Sequence, residues 1–206
     1  MKLRLRTGKK MKMGRLEKKF INSKRHAQKN IELIERLFEH IEFQNIKRVL
    51  EIGCGVGVTA AHLHNKYNMS VIGTDLDHKQ IMLAKNHHKE NKRLKFMELD
   101  ATALPFENQE FDMVLSMFVL HHIGTWDKTL TEISRVLKLN GYFIFYDLAY
   151  SRFTTRLLKR IVKKYGVYTI HDIITILKSN NIESVYKEKP HGVTMKNYAV
   201  VFQKKS

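Results

Sequence analysis

Between residues 48 and 146 short apolar runs alternate with stretches of helical periodicity, and this alternation constrains the fold more than any other feature of the chain. Arg48–Ile52, Ser70–Thr74, Leu94–Leu99, Phe111–Ser116 and Tyr142–Tyr146 read as strands, and Thr59–Tyr67, His78–Lys89 and Asp127–Leu137 read as helices. Strands joined by helices of this length form a parallel sheet with right-handed crossovers and both faces covered. Ligands of such sheets bind beyond the carboxyl ends of the strands, where the strand order switches. Upstream, Ile31, Ile34, Leu37, Phe38 and Ile41 give Ser23 to about Phe43 an amphipathic helix. Downstream, Ile182–Glu188 and Asn197–Gln203 are joined by a link too short for a crossover helix, so they should pair antiparallel. The expected class is a doubly wound, seven-stranded, mostly parallel α/β sheet with its last strand antiparallel and a helical N-terminal extension.

The first strand runs into Glu51-Ile-Gly-Cys-Gly-Val-Gly57. Glycines at alternate positions let a backbone turn sharply and approach a ligand where a β-carbon would collide. Position 58 is Val, so the spacing departs from the Gly-x-Gly-x-x-Gly of dinucleotide sites and disfavours a nicotinamide-dependent oxidoreductase. By itself such a loop is as consistent with an ordinary tight turn. The second strand ends in Asp75, about twenty residues on, where a carboxylate can accept both hydroxyls of a ribose, while Asp77 suits a helix cap. Asp100 ends the third strand, in position to accept from an adenine amino group.

Together with Phe111-Asp-Met-Val-Leu-Ser116, Leu120-His-His-Ile123 and Arg135-Val-Leu-Lys-Leu-Asn-Gly141, these segments resemble the class I S-adenosylmethionine-dependent methyltransferases, in order and spacing, over about residues 46–147. The subgroup they look most like is that of the quinone-biosynthesis and related small-molecule enzymes. Asn140 stands where a glycine is common. The resemblance implies the Rossmann-like methyltransferase fold, S-adenosylmethionine as cofactor and a cofactor site of Glu51, Gly53, Cys54, Gly55, Asp75, Leu76, Asp100, Ala101, Ser116 and Met117. In it Gly53 and Gly55 flank the methionine moiety, Asp75 and Leu76 hold the ribose and adenine, Asp100 and Ala101 meet the adenine, and Ser116 and Met117, after the fourth strand, lie near the sulfonium. Cys54 reads as a small packing residue.

His121 and His122 are the candidate catalytic residues. A neutral imidazole beside the transferred methyl can take a proton from the acceptor, although an activated sulfonium can also react by alignment alone. His62/His64 and His87/His88 fall on outer helices without carboxylates or cysteines at ligand spacing, so no metal is assigned. The place after the fourth strand reads Ser116-Met-Phe-Val119, without the proline pair of enzymes that methylate nucleobase amines.

Charge divides the chain. Residues 1–30 carry +11, residues 31–150 carry −3 and residues 151–206 carry +9. Basic ends around a slightly acidic middle point to an anionic partner, against the simpler reading of a solvated surface. Residues 1–22 read as a basic mobile arm and 23–206 as one domain, with 151–168 an acceptor-side helical insertion by the resemblance. In that insertion Phe153, Leu157, Leu158, Ile161, Val162 and Tyr165 share a helical stripe opposite Arg152, Arg156, Lys159, Arg160, Lys163 and Lys164. The stripe either closes over an amphipathic acceptor or an anionic membrane, or packs on the sheet. A small-molecule or lipid-like acceptor is expected, with RNA, or a non-catalytic basic module retaining the fold, as the alternatives. One cysteine, and neither a spanning run nor a signal-like apolar stretch, lead to a cytoplasmic expectation.

Overall fold

A computed structural model of the chain describes residues 24–158, 162, 165–192 and 195–205. The arm expected over residues 1–22 lies outside them. Seven strands form one sheet in the order β3-β2-β1-β4-β5-β7-β6, namely β1 (Arg48–Ile52), β2 (Ser70–Asp75), β3 (Leu94–Glu98), β4 (Phe111–Met117), β5 (Leu137–Tyr150), β6 (Ile182–Lys187) and β7 (Met195–Lys204). β1 to β5 pair in parallel, and β7 runs antiparallel between β5 and β6, as the short connection requires. The order reverses between β1 and β4, which puts the switch point directly beyond the Gly53–Gly57 loop.

Alternation along the strands builds two cores. Val49, Val71, Met113, Leu115 and Ile144 face α1 (Lys24–Phe38), α2 (Val58–Tyr67) and α3 (His78–His87). Leu50, Ile52, Val114, Phe143 and Phe145 face α4 (Trp126–Val136) and α6 (Ile170–Lys178). α1 buries Leu33, Ile34, Leu37 and Phe38 on the first face, so Ile34, Leu37 and Phe38 of the expected stripe are buried, Leu33 joins them, and Ile31 and Ile41 are only partly covered. It stops at Phe38 rather than Phe43, followed by a turn and one short 3-10 segment at Phe43–Asn45. α1 is pinned to α2 by Glu35, which accepts from His62 Nε2 at 2.7 Å, Lys66 Nζ at 2.6 Å and the Tyr67 hydroxyl at 2.5 Å. His62 thus has a carboxylate neighbour supplied from 27 residues away.

Two further departures matter for the site. β5 begins at Leu137, directly after α4, and continues to Tyr150, well past the expected Tyr142–Tyr146. Its sharp point is Asn140, whose φ of 62° explains why an asparagine can stand at a position where glycine is common. The basic helix, α5, is described over Arg152–Leu158, and Lys159, Arg160, Ile161, Lys163 and Lys164 lie outside the described residues. Its buried residue is Thr155, while Phe153 and Leu157 point outward, so these two do not pack on the sheet. Thr169 and Asp172 form a reciprocal capping box that starts α6. No helix among the described residues is long and apolar enough to cross a membrane.

Candidate functional site

The loop after β1 is built to bring its backbone directly against neighbouring side chains. Gly53 has φ of 70°, and a β-carbon there would lie 2.2 Å from Val119 Cγ2, so any side chain would expel the segment that follows β4. At Gly57, φ is 79° and a β-carbon would strike the Phe96 ring at 2.5 Å. This glycine therefore seats the loop on β3, the packing role that the Gly-x-Gly-x-Gly spacing moved forward by one residue. The Cys54 N–H donates to Thr74 O at 2.8 Å and its side chain fills the space over Gly73. Burial first, then the Glu51 and Asp75 charges, push the Cys54 thiol well above its usual range, which keeps it protonated and unsuited to nucleophilic work.

Asp75 ends β2 beside this loop. Its Oδ2 accepts the Gly55 N–H at 3.0 Å and its Oδ1 accepts the Asp77 N–H at 2.8 Å, which holds Leu76 in the bend between them. Asp77 caps α3 through the Lys79 N–H at 3.0 Å. Leu99 donates to Asp75 O at 3.1 Å, so the turn carrying Asp100 and Ala101 adjoins the same strand tip. Asp100 itself is exposed and bonds its own turn, accepting from the Thr102 N–H at 2.9 Å and hydroxyl at 2.7 Å.

Glu51 is buried on the α2 side of β1. It accepts from the Ala60 N–H and the Thr59 hydroxyl, serving the helix start that Gly57, at the cap position, cannot serve with a side chain. Its Oε2 is buried without a hydrogen-bond partner. Burial, with the Asp75 charge adding to it, pushes the Glu51 carboxyl up to about 8.

Ser116 and Met117 lie within β4 rather than after it. Ser116 pairs in register with Ile52 of β1 and Phe145 of β5, and its buried Oγ has no hydrogen-bond partner. Met117 is the last residue of the strand. The chain then bends at Phe118, which has a φ of 56°, before the 3-10 turn Leu120–His122.

Asp147, on β5, organises that turn. The carboxylate is fully buried, and its Oδ2 accepts the N–H groups of Val119 at 3.1 Å and Leu120 at 2.8 Å. Its Oδ1 meets His121 Nδ1 and also accepts the Leu148 N–H at 2.7 Å. With Nδ1–H donating to the carboxylate, the His121 Nε2 is left as an acceptor. The His121 side chain is 16 % exposed, enough to reach a ligand at the mouth of the sheet. His122 lies against it at a ring separation of 3.9 Å and is turned inward, with a buried Nε2. Behind the pair, burial and then the Asp147 charge push the Tyr168 phenol well above its usual range.

Glu51, Gly53, Cys54, Gly55, Asp75 and Leu76 thus form one cluster, Asp100 and Ala101 its rim, and His121 a separate pair with Asp147 across β4. Asp147, Val119, Phe118 and Tyr146 are functional neighbours that the sequence reading missed. A lone carboxylate inside the apolar run Tyr146-Asp-Leu-Ala-Tyr150 was the available signal, because a buried charge requires a partner. The Tyr146 ring packs edge-on to Phe118 at 4.5 Å, and Phe118 lies 6.4 Å from His121. Beyond Tyr146 opens a cavity of about 220 Å³ bounded by Leu33, Arg36, Glu188 and Asn197. Another, of about 180 Å³, lies at the opposite ends of β4 and β5 around Asp112 and Gly141, away from the glycine loop. Among the described residues no group of three or more His, Cys, Asp and Glu side chains converges as metal ligands would.

Residues 50–145 match the family model described as a methyltransferase domain. The chain is 36% identical over 120 residues to phthiotriol/phenolphthiotriol dimycocerosates methyltransferase 1 of Mycobacterium ulcerans, covering 58% of this chain and 44% of that one. It is 38% identical over 102 residues to the fatty-acid O-methyltransferase of Mycolicibacterium smegmatis, covering 49% of this chain and 37% of that one. The matches span less than half the length of these two relatives. Among solved structures, the PH0226 protein of Pyrococcus horikoshii OT3 superposes with a TM-score of 0.67 at 25% identity, covering 90% of this chain and 93% of that one.

Proposed function

We propose that the chain is a class I S-adenosylmethionine-dependent methyltransferase that methylates a hydroxyl oxygen of a lipid-like acceptor, with His121 as base; the methyltransferase-domain match at residues 50–145 and the doubly wound sheet support this reading.

The residues beyond β1 and β2 suit that donor better than a dinucleotide. A pyrophosphate seeks free amides at a helix start, whereas here Glu51 already occupies the amide of Ala60, and Asp75 adds a second carboxylate nearby. A ligand carrying an ammonium and a sulfonium answers both the acidic surroundings and the partnerless Glu51 Oε2. Gly53, Cys54 and Gly55 would line the methionine portion, Asp75 and Leu76 the ribose, and Asp100 with Ala101 the adenine, and Ser116 and Met117 the reacting end. Bound S-adenosylmethionine supplies an electrophilic methyl group that needs no further activation.

The observation that carries the choice of acceptor is the buried His121–Asp147 pair. A carboxylate acceptor is already nucleophilic at neutral pH, but an alcohol or phenol keeps its proton until attack. Asp147 fixes the imidazole tautomer and supports the cation formed when His121 Nε2 takes that proton as the new oxygen–carbon bond forms. The lipid-directed names of two relatives support the acceptor's class.

Labelled methyl transfer by the purified chain tests the reading. Long-chain alcohols or phenolic lipids should accept label, with His121→Ala losing about two to four orders of magnitude in turnover. Equal transfer to a fatty acid and undiminished turnover in His121→Ala would replace the base-assisted reading with simple alignment.

A further inference from the structure

We infer that the outward face of α5, formed by Arg152, Phe153, Arg156 and Leu157, docks on an anionic lipid surface, on the segment that returns to the His121 turn. This deepens the lipid-like reading above and rests on it only for its purpose, since the docking itself is carried by the exposed face.

The orientation of α5 is settled by Thr155, which is buried and donates its hydroxyl to Ser151 O at 2.9 Å. Phe153 and Leu157, four residues apart, share the opposite side, 83 % and 58 % exposed. Tyr165, at the return of the segment, is 47 % exposed. These are three of the large apolar side chains the described chain leaves in water, gathered in one excursion. A helix that turns its apolar residues inward needs no partner, but this one turns them out and interleaves them with two guanidinium groups. Residues 151–206 add twelve Lys/Arg against three acids.

A partner must therefore be anionic at its surface and apolar just beneath. A bilayer interface is layered in that way, with phosphates for Arg152 and Arg156 and acyl chains for Phe153 and Leu157. Nucleic acid would meet the arginines but offer no apolar volume to Leu157. The place of the face in the fold agrees. The Gly166 N–H donates to His121 O at 2.9 Å, so the segment carrying α5 returns to the turn that holds the proposed base. A lipid-like acceptor would then pass from the surface to the site without crossing water.

Sedimentation of the full chain with vesicles decides it, without any methyl donor present. At low salt, binding is expected to vesicles of phosphatidylcholine with phosphatidylglycerol and not to phosphatidylcholine alone, falling steeply as salt is raised. The pair Phe153→Ser with Leu157→Ser, and separately Arg152→Glu with Arg156→Glu, should each weaken binding about tenfold or more while leaving the melting temperature unchanged. Arg152→Lys with Arg156→Lys should retain it. Failure to bind, equal binding to both vesicle types, or anionic binding undiminished by the serine pair would overturn the proposal, the last by assigning it to diffuse charge. Retention of single-stranded RNA lost in the serine pair would overturn it in favour of nucleic acid. Affinity for S-adenosylhomocysteine, measured by calorimetry on the same preparations, separates failure of docking from failure of the methyltransferase reading.

Discussion

The carboxylate of Asp147, buried in the fifth strand, faces the imidazole of His121 in the turn after the fourth, so one side chain sets both the tautomer of the proposed base and the path of the backbone that carries it. Separating these two duties defines the first expectation. His121→Gln should lower turnover by about two to four orders of magnitude while leaving S-adenosylhomocysteine affinity within about threefold. Asp147→Asn should also lower turnover and in addition destabilise the fold by about 1–3 kcal/mol, because several amides share its oxygens. Steady-state kinetics with thermal melts on both variants checks this, and full activity in His121→Gln would remove the base.

Asp75→Ala should weaken S-adenosylhomocysteine binding by about 1–3 kcal/mol, roughly ten- to a hundredfold, since it would remove the proposed ribose acceptor and strand the Gly55 N–H. Calorimetry gives the number directly. Unchanged affinity would show that the carboxylate only shapes its own turn.

Glu51 makes stability depend on pH in a direction opposite to most carboxylates. Its folded value of about 8 stands above the ordinary carboxyl value of 4.5, so the folded form holds the proton more tightly. The stabilising contribution is complete below 4.5 and is lost as pH rises through 8. In unliganded protein, Glu51→Gln should therefore flatten the fall in denaturation midpoint between pH 5 and pH 8. An identical slope in the variant would place the titration elsewhere.

Glu35 carries the reverse sign. Burial alone would raise its carboxyl, but the hydrogen bonds from Lys66, Tyr67 and His62 prevail and lower it to about 2. Its contribution is present above 4.5 and lost as pH falls toward 2. Glu35→Gln should cost about 1–2 kcal/mol at pH 7, and the difference from wild type should shrink as the solution is acidified. Urea melts at pH 7 and pH 3 compare the two, and hydrogen exchange should show the loss concentrated in α1.

The sheet and the first half of the site were legible because they are local. Apolar runs, an alternate-glycine turn and an acid at a strand tip each leave a mark within a few residues, and Asp75 could be told from Asp77 by position alone. The other half is made by long-range contacts. Asp147 went unnoticed because the fifth strand was ended one residue before it, and its partner lies 26 residues earlier. The Val119 side chain over Gly53, and Glu35 against His62, are products of topology that no neighbouring residue announces. The direction in which the basic helix faces was hidden for a related reason: only the burial of Thr155 fixes it.

The excursion between Tyr150 and Tyr168 has consequences for how such a chain could diversify. Its base is closed by the Tyr150 N–H donating to Tyr168 O at 2.9 Å, and inside that closure Gly166 is confined to glycine, since a β-carbon would lie 2.2 Å from Leu120 O. Both ends are thus anchored in the frame, and the described residues between Ser151 and Tyr165 supply no member of either core cluster. Loops tied at their base tolerate changes in length at small entropic cost. This segment is therefore an exchangeable cassette: another sequence could be grafted between the same two tyrosines to meet a different surface, with the glycine loop and the base left in place.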